Sequence, residues 1–390
     1  MTVYPSRNRR DSSPKRAAES QAEFFDRVAG AYWDQVRDVI NEWWSHLPDQ
    51  ARSGVRSRLV DRNSDSNVSS ALWELYLHEM LLGSGCTVEV EQAVGTRGKY
   101  PDFLVTRDGE QFVLEAIWTS QRIGDPTQDA MSGRLLDAIN GVPSPNFFLS
   151  VSIIRVGSVE PPQRRLKAEL VQWLGGLDPD RVQADYEQRQ VPLPTHIWQE
   201  AGWSLSFTAM PRSPGVRGRF SRGIGIYPMI WMRDRSDHVL GAVKKKGGKY
   251  GDLALPFIVA VGQAALFPEE EDIATSLYGS SVEYAHTGIA STFGRLSDGY
   301  WSPSRDNGHR RVSGVLVVDN PAPWTWAKNT PVLWRSSDPR SIPAPILPTW
   351  ASARLAGDEV ERKPAAAPAY SAVGLDQDWP AGEAFPRHAA

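Results

Sequence analysis

The sequence predicts an α/β fold, a mixed sheet flanked by helices. Three observations carry the prediction. From about residue 67 onward, apolar stripes at steps of three and four alternate with short β-prone runs. Asp108-Gly109 separates two such runs, and Asp-Gly is the strongest short signal for a two-residue hairpin. Over 390 residues, 41% are hydrophobic and 23% charged, which suits a globular chain and excludes a disordered or collagen-like one.

The elements follow in order. Residues 1–20 carry Arg7, Arg9, Arg10, Lys15 and Arg16 among Ser, Asn and Pro, and read as a flexible basic arm. In residues 21–47, Phe25, Val28, Tyr32, Val36, Val39, Trp43 and Leu47 form one stripe, which predicts a single long amphipathic helix ended by Pro48. A short helix follows before the polar run 61–67. Asn67 is placed to cap a helix running to about Leu82, with Gly83 and Gly85 ending it. Residues 86–92, 101–106 and 111–118 read as strands. Asp125-Pro126 opens a helix closed by Asn140-Gly141, and 146–156 is a strongly β-prone run.

Beyond 161 the pattern gives a helix at 162–174 and strands at 203–210 and 223–232. A basic helix at 237–247 precedes a buried-type strand at 256–262. Glu269, Glu270, Glu271 and Asp272 fit the first turn of a further helix, where carboxylates favour the macrodipole. Residues 312–319 form a last clear strand. From 338 the chain is rich in Pro and Ala and reads as an extended arm, then a disordered tail. The expected divisions are therefore 1–20, an N-terminal helical region 21–66, a core 67–160, an α/β extension 161–337 and the arm 338–390.

Several classes are excluded or disfavoured. The single cysteine, Cys86, rules out an internal disulfide and a multi-cysteine zinc site, and reads as a small core residue. No apolar run reaches the length of a membrane span, and the first 20 residues lack the apolar stretch of a secretory signal, so a cytoplasmic location is expected. The segment GRFSRGIG lacks the Gly-Lys-Ser/Thr ending of a phosphate-binding loop. No serine-hydrolase elbow, HExxH zinc site or dinucleotide-binding fingerprint is present. A net charge of -3 means that any nucleic-acid surface is local.

The hairpin Tyr100 to Trp118, YPDFLVTRDGEQFVLEAIW, carries the functional argument. A type I′ turn at Asp108-Gly109 fixes the register and sets Asp102 opposite Glu115 on one sheet face. Directly opposed like charges destabilise a sheet unless a proton, a cationic partner or a metal relieves them. A hard cation such as Mg²⁺ takes one or two carboxylates and fills its shell with water and phosphate oxygens. Glu74, on the preceding helix, is a third candidate ligand if that helix packs beside the hairpin. His78 reads as a surface or half-buried histidine before it reads as a ligand.

The helix–strand–strand–strand–helix–strand order of residues 68–156 resembles the core of the PD-(D/E)XK nuclease superfamily, the restriction-endonuclease-like fold. Pro101-Asp102 and, twelve residues on, Glu115 resemble its first two motif elements. Glu74 stands where many members place another acidic residue. The resemblance implies a Mg²⁺- or Mn²⁺-dependent nuclease cleaving DNA phosphodiester bonds, in restriction or defence. Asp102, Glu115 and Glu74 would serve as catalytic and metal residues. The motif lysine, two positions after the second acid, is replaced by Ile117. Substitutes are available in Lys99, Gln121, Arg122 and the cluster Lys244 to Lys249.

Between residues 212 and 250, ten cations stand against Asp234 and Asp237, a local net of about +8 that suggests an anionic partner. Arg219, Arg222, Lys244, Lys245, Lys246 and Lys249 are the expected contacts to DNA or another nucleic acid. A protein partner or a second copy of the chain is open. The alternative to a nuclease is a non-catalytic nucleic-acid-binding or scaffold subunit that kept the fold and lost the lysine; an unrelated α/β enzyme is a third reading.

Overall fold

The computed structural model describes residues 2–95, 98–120, 126–218, 222–226, 236–250, 253–264, 270–286, 289–302 and 311–386. The chain forms two units, one from Met1–Pro14, Ser20–Gln121 and Arg233–Ala390, the other from Lys15–Glu19 and Arg122–Met232.

The first unit opens with α1 (Gln21–Arg27), α2 (Ala31–His46), α3 (Asp49–Leu59) and α4 (Asp65–Gly83), followed by β1 (Thr87–Val90), β2 (Phe103–Arg107) and β3 (Glu110–Ser120). The chain then builds the second unit from α5 (Pro126–Asn140), β4 (Phe147–Arg155), α6 (Gln163–Gly175), α7 (Pro179–Arg189), β5 (Thr195–Glu200), β6 (Trp203–Pro211) and β7 (Ile224–Ile226). It returns to the first unit with α8 (Ser236–Gly247), β8 (Phe257–Ala264), α9 (Glu270–Tyr278), β9 (Ser281–His286) and β10 (Ile289–Arg295). The last elements are β11 (Gly314–Asp319), β12 (Val332–Arg335), β13 (Ala351–Ala356), β14 (Glu359–Lys363) and α10 (Ala369–Ala372).

An eight-stranded mixed sheet, in the order β1-β2-β3-β8-β11-β12-β13-β14, organises the first unit. β1, β2 and β3 form an antiparallel meander, and β8 and β11 add to it in parallel. The central runs FIVAV and GVLVV are apolar throughout because parallel strands covered on both faces have no polar side. Helix α4 covers one face. It is buried almost all round, and Trp73, Tyr76 and Leu77 join Phe103, Val105, Leu114 and Ala116 in that core. On the other face, Val239 and Val243 of α8 and Ile273 and Leu277 of α9 pack against Val113, Val259, Val261 and Val315.

In the second unit, four strands in the order β5-β6-β4-β7 form a separate sheet. Leu166, Leu170 and Leu174 of α6 and Met131, Leu135 and Ile139 of α5 pack on Leu149, Leu205 and Phe207.

Several expectations are corrected. The stripe over 21–47 is two helices, because Gly30 sits at φ +118° and breaks the path. Ser64, not Asn67, caps α4, its hydroxyl accepting from the Asn67 N–H. The helix and strand expected to complete the core, near 126–140 and 146–156, belong to the second unit. Helix α8 and strand β8 fill that place beside β3. The N-terminal arm is not loose: Val3 and Tyr4 are buried, and both their N–H groups donate to Asn41 Oδ1. The C-terminal segment adds β13 and β14 to the sheet, and Trp379 stacks on Trp326. The described tail is therefore packed. Among the described residues, no helix is long and apolar enough to cross a membrane.

Candidate active site: a carboxylate pair met by two lysines

The hairpin adopts the expected register. Asp108 and Gly109 take φ +51° and +83°, and Phe103 faces Leu114 through to Arg107 facing Glu110. Carried one residue outward, this pairing sets Asp102 opposite Glu115, and Asp102 Oδ2 accepts from the Ala116 N–H at 2.7 Å.

Glu115 is fully buried on the α8 side of the sheet, among Val113, Val259 and half-buried Ile117. Its charge is met from α8 and the turn beyond it. Lys246 Nζ lies 2.5 Å and Lys249 Nζ 2.8 Å from Glu115 Oε1, and the buried Tyr250 hydroxyl donates to Oε2. The helix period explains the first contact. Val239, Ala242 and Val243 form the apolar stripe of α8, and Lys246 follows Ala242 by four positions and Val243 by three, so it continues that stripe toward the sheet. Gly247 then allows the chain to pass the buried Tyr300 ring, since a Cβ there would run into the Tyr300 hydroxyl. Lys249 lies over the Tyr250 ring at 5.1 Å, and Tyr250 meets Phe257 edge-on.

The two carboxylates respond oppositely. Burial raises the Glu115 carboxyl, but hydrogen bonds from Lys246, Lys249 and Tyr250 outweigh it and hold the group below its ordinary value. Asp102 is pushed up to about 7, first by burial and then by the charges of Glu115 and Glu74; Lys246 and the Ala116 N–H oppose the rise. Burial also raises the Tyr250 hydroxyl, reinforced by its bond to Glu115.

Glu74 does not join these two in a common cluster. Arg58 of α3 takes both its oxygens, with Nη1–Oε1 2.5 Å and Nη2–Oε2 2.6 Å. That bond raises the Arg58 guanidinium. Glu74, Arg58, Gln50, Glu91 and Asp102 line a cleft of about 340 Å³. His78 is buried, 2% exposed, beside Glu79 rather than half-buried or at the surface.

Among the described residues, no group of three His, Cys, Asp or Glu side chains is gathered tightly enough to enclose a metal ion. Of the expected ligands, Glu115 has both oxygens taken by Lys246, Lys249 and Tyr250, and Asp102 accepts from the Ala116 N–H.

The other expected cations divide. Lys244 and Lys245 are exposed, as are Lys99 and, in the second unit, Arg222. Arg212 is buried, donating to the carbonyls of Ser144, Phe147 and Arg222 with its guanidinium 3.7 Å from the Phe148 ring centroid. Arg217 pairs with Asp180 at 2.6 Å. Arg219, Arg233, Arg235, Gln121 and Arg122 lie outside the described residues. The residues missed from sequence are Tyr250 and Arg58. The period of α8 was the available signal for Lys246, whereas nothing local marks Arg58.

The chain matches no protein-family profile, no curated protein and no solved structure.

Proposed function

We propose that this protein is a metal-dependent nuclease acting on DNA, with Asp102 and Glu115 as the carboxylates that would hold Mg²⁺ or Mn²⁺. The observation that supports this reading is the convergence of Lys246 and Lys249 on Glu115, beside the position where Ile117 replaces a lysine. A cation held there would supply a Lewis acid for a phosphoryl oxygen and a more acidic bound water. The chain's own groups do the rest. Lys246 and Lys249 bring positive charge to offset a phosphodiester, Tyr250 fixes the Glu115 carboxylate, and the Ala116 N–H orients Asp102.

One observation favours a second reading. Both Glu115 oxygens already have protein donors, so the cluster also makes sense as a closed structural network in a non-catalytic nucleic-acid-binding subunit.

Incubation with supercoiled plasmid in Mg²⁺, Mn²⁺ or EDTA separates the two. The nuclease reading expects metal-dependent cutting that EDTA stops and that Asp102→Asn and Glu115→Gln each abolish. Binding of DNA without cutting under either metal would favour the second reading, and cutting by both variants at the wild-type rate would move the activity elsewhere.

A further inference from the structure

We propose that the first unit carries a binding site for an amphipathic carboxylate, an apolar chain with one negative head, between the tip of the β2–β3 hairpin and the β13–β14 edge of the large sheet. A cavity of about 560 Å³ lies there and shares no lining residue with the Arg58 cleft or the Glu115 cluster. That volume falls in the range of small-molecule sites, about 300–1,000 Å³. The buried rings of Phe112 and Trp350 and the buried Leu347 line it, and Ile346 stands 42% exposed at its rim. Pro345, Pro348 and Pro364 fix the backbone of the wall, and the Pro348 carbonyl accepts from the Ala367 N–H at 2.9 Å. The wall is therefore formed before any ligand arrives.

The polar groups select the ligand. Ser352 lies in the lining at 7% exposure, and among the described residues no donor or acceptor meets its hydroxyl. A buried polar group left without a protein partner calls for one from elsewhere. Lys363 stands directly across from Ser352 on β14, on the same sheet face, and has no ion pair among the described residues. A hydroxyl that can donate thus sits beside an ammonium that can only donate, and both suit an anionic acceptor. The acids of the hairpin wall have their own cation: Arg107 Nε lies 3.5 Å from Asp108 Oδ2, and Glu110 is its cross-strand partner. The head group therefore belongs on the Lys363 side, with the chain over Phe112 and Trp350. A peptide adding as a strand would need a free ladder beside Ser352, but β13 is paired on both sides, with β12 and β14. A molecule whose only polar group is its head fits better. This inference does not rest on the nuclease reading.

The test titrates the full chain with decanoate, decanol and decylamine below micelle formation, followed by calorimetry. Decanoate is expected to bind at one site and more tightly than decanol, with decylamine weakest. Ser352→Leu, which fills the cavity, is expected to abolish decanoate binding, and Ser352→Ala to weaken it about fivefold, the worth of one hydrogen bond. Lys363→Met changes an exposed position and should fold; it is expected to weaken decanoate about fivefold, the upper end for an exposed ion pair, and to leave decanol unchanged. The comparison of the three ligands on wild type needs no variant to fold. Equal affinities for the three, or decanoate binding untouched by Lys363→Met, would overturn the carboxylate assignment. Wild-type affinity in folded Ser352→Leu would move the site elsewhere, and no saturable binding to wild type would end the proposal.

Discussion

The two halves of the basic segment are alike in sequence and unlike in use. In the second unit, Arg212 is buried and donates to the carbonyl groups of Ser144, Phe147 and Arg222, and Arg217 is tied to Asp180, so much of that charge is spent on structure. In the first unit, Lys246 and Lys249 are drawn to one buried carboxylate, while Lys244 and Lys245, on the same helix, face solvent. A count of positive residues cannot tell these cases apart. What separates them is the period of the element that carries each residue and the acceptor facing it. Helix α8 aims every third or fourth side chain at the sheet, and Glu115 is the group it meets.

The largest expected effect removes the acceptor. Glu115→Gln leaves two ammonium groups around a neutral amide, and should destabilise the first unit by about 3 kcal/mol, the low end of the cost of breaking a buried ion pair because both lysines keep some solvent contact. Asp102→Asn should act with the opposite sign. The Asp102 carboxyl sits near 7 in the folded protein, well above its ordinary value. Below the unfolded-state value both states hold the proton and stability is full. As pH rises toward and through 7, the unfolded chain has already released the proton, so wild-type stability falls. The Asn variant lacks this loss, so its advantage in urea unfolding should grow between about pH 4 and pH 8. Equal, pH-independent shifts in the two variants would mean that the pair does not divide as described.

A smaller effect is expected in the other half. Arg212→Met keeps much of the stem packing but orphans buried carbonyls of Ser144 and Phe147, and should destabilise the second unit by about 2 kcal/mol. Its signature is independence: protection from limited proteolysis should fall within residues 126–218, while salt-dependent binding to DNA stays unchanged. A matching loss of DNA affinity in a folded variant would return Arg212 to the binding surface.

Much of the site was legible because it is local. The Asp108-Gly109 turn sets a two-strand register within twenty residues, and that alone opposes Asp102 to Glu115. The apolar run of α4 likewise announces a buried helix. The completion of the sheet was not legible. Two helix–strand pairs follow β3 in the chain, α5–β4 and α8–β8, and each has the composition of a crossover. Only tertiary pairing, with Glu115 alongside Val259 of β8, decides between them. The β13–β14 hairpin was hidden for a different reason. Its exposed outer strand, EVERK, lacks a buried face and lies within Pro-rich surroundings. Arg58 was hidden because its partner Glu74 lies on another helix, and no spacing rule links α3 to α4.

The smallest effect concerns the lysines left at the surface. Lys244 and Lys245 have no acidic partner among the described ion pairs and are exposed in the last turn of α8. If they contact backbone phosphates, each contributes about 0.9 to the slope of log affinity against log salt for duplex DNA, so replacing both with Ala should flatten that slope by up to about two. Stability should hardly change, because exposed helical positions tolerate Ala. Lys246 is the internal control. Its ammonium is committed to Glu115 in the metal-free protein, so Lys246→Ala measured in EDTA should alter the slope less than either neighbour does. A full unit of slope lost on Lys246→Ala in EDTA would show that its ammonium leaves Glu115 for phosphate even without a cation. No change on replacing Lys244 and Lys245 would place the DNA-facing charge on another part of the chain.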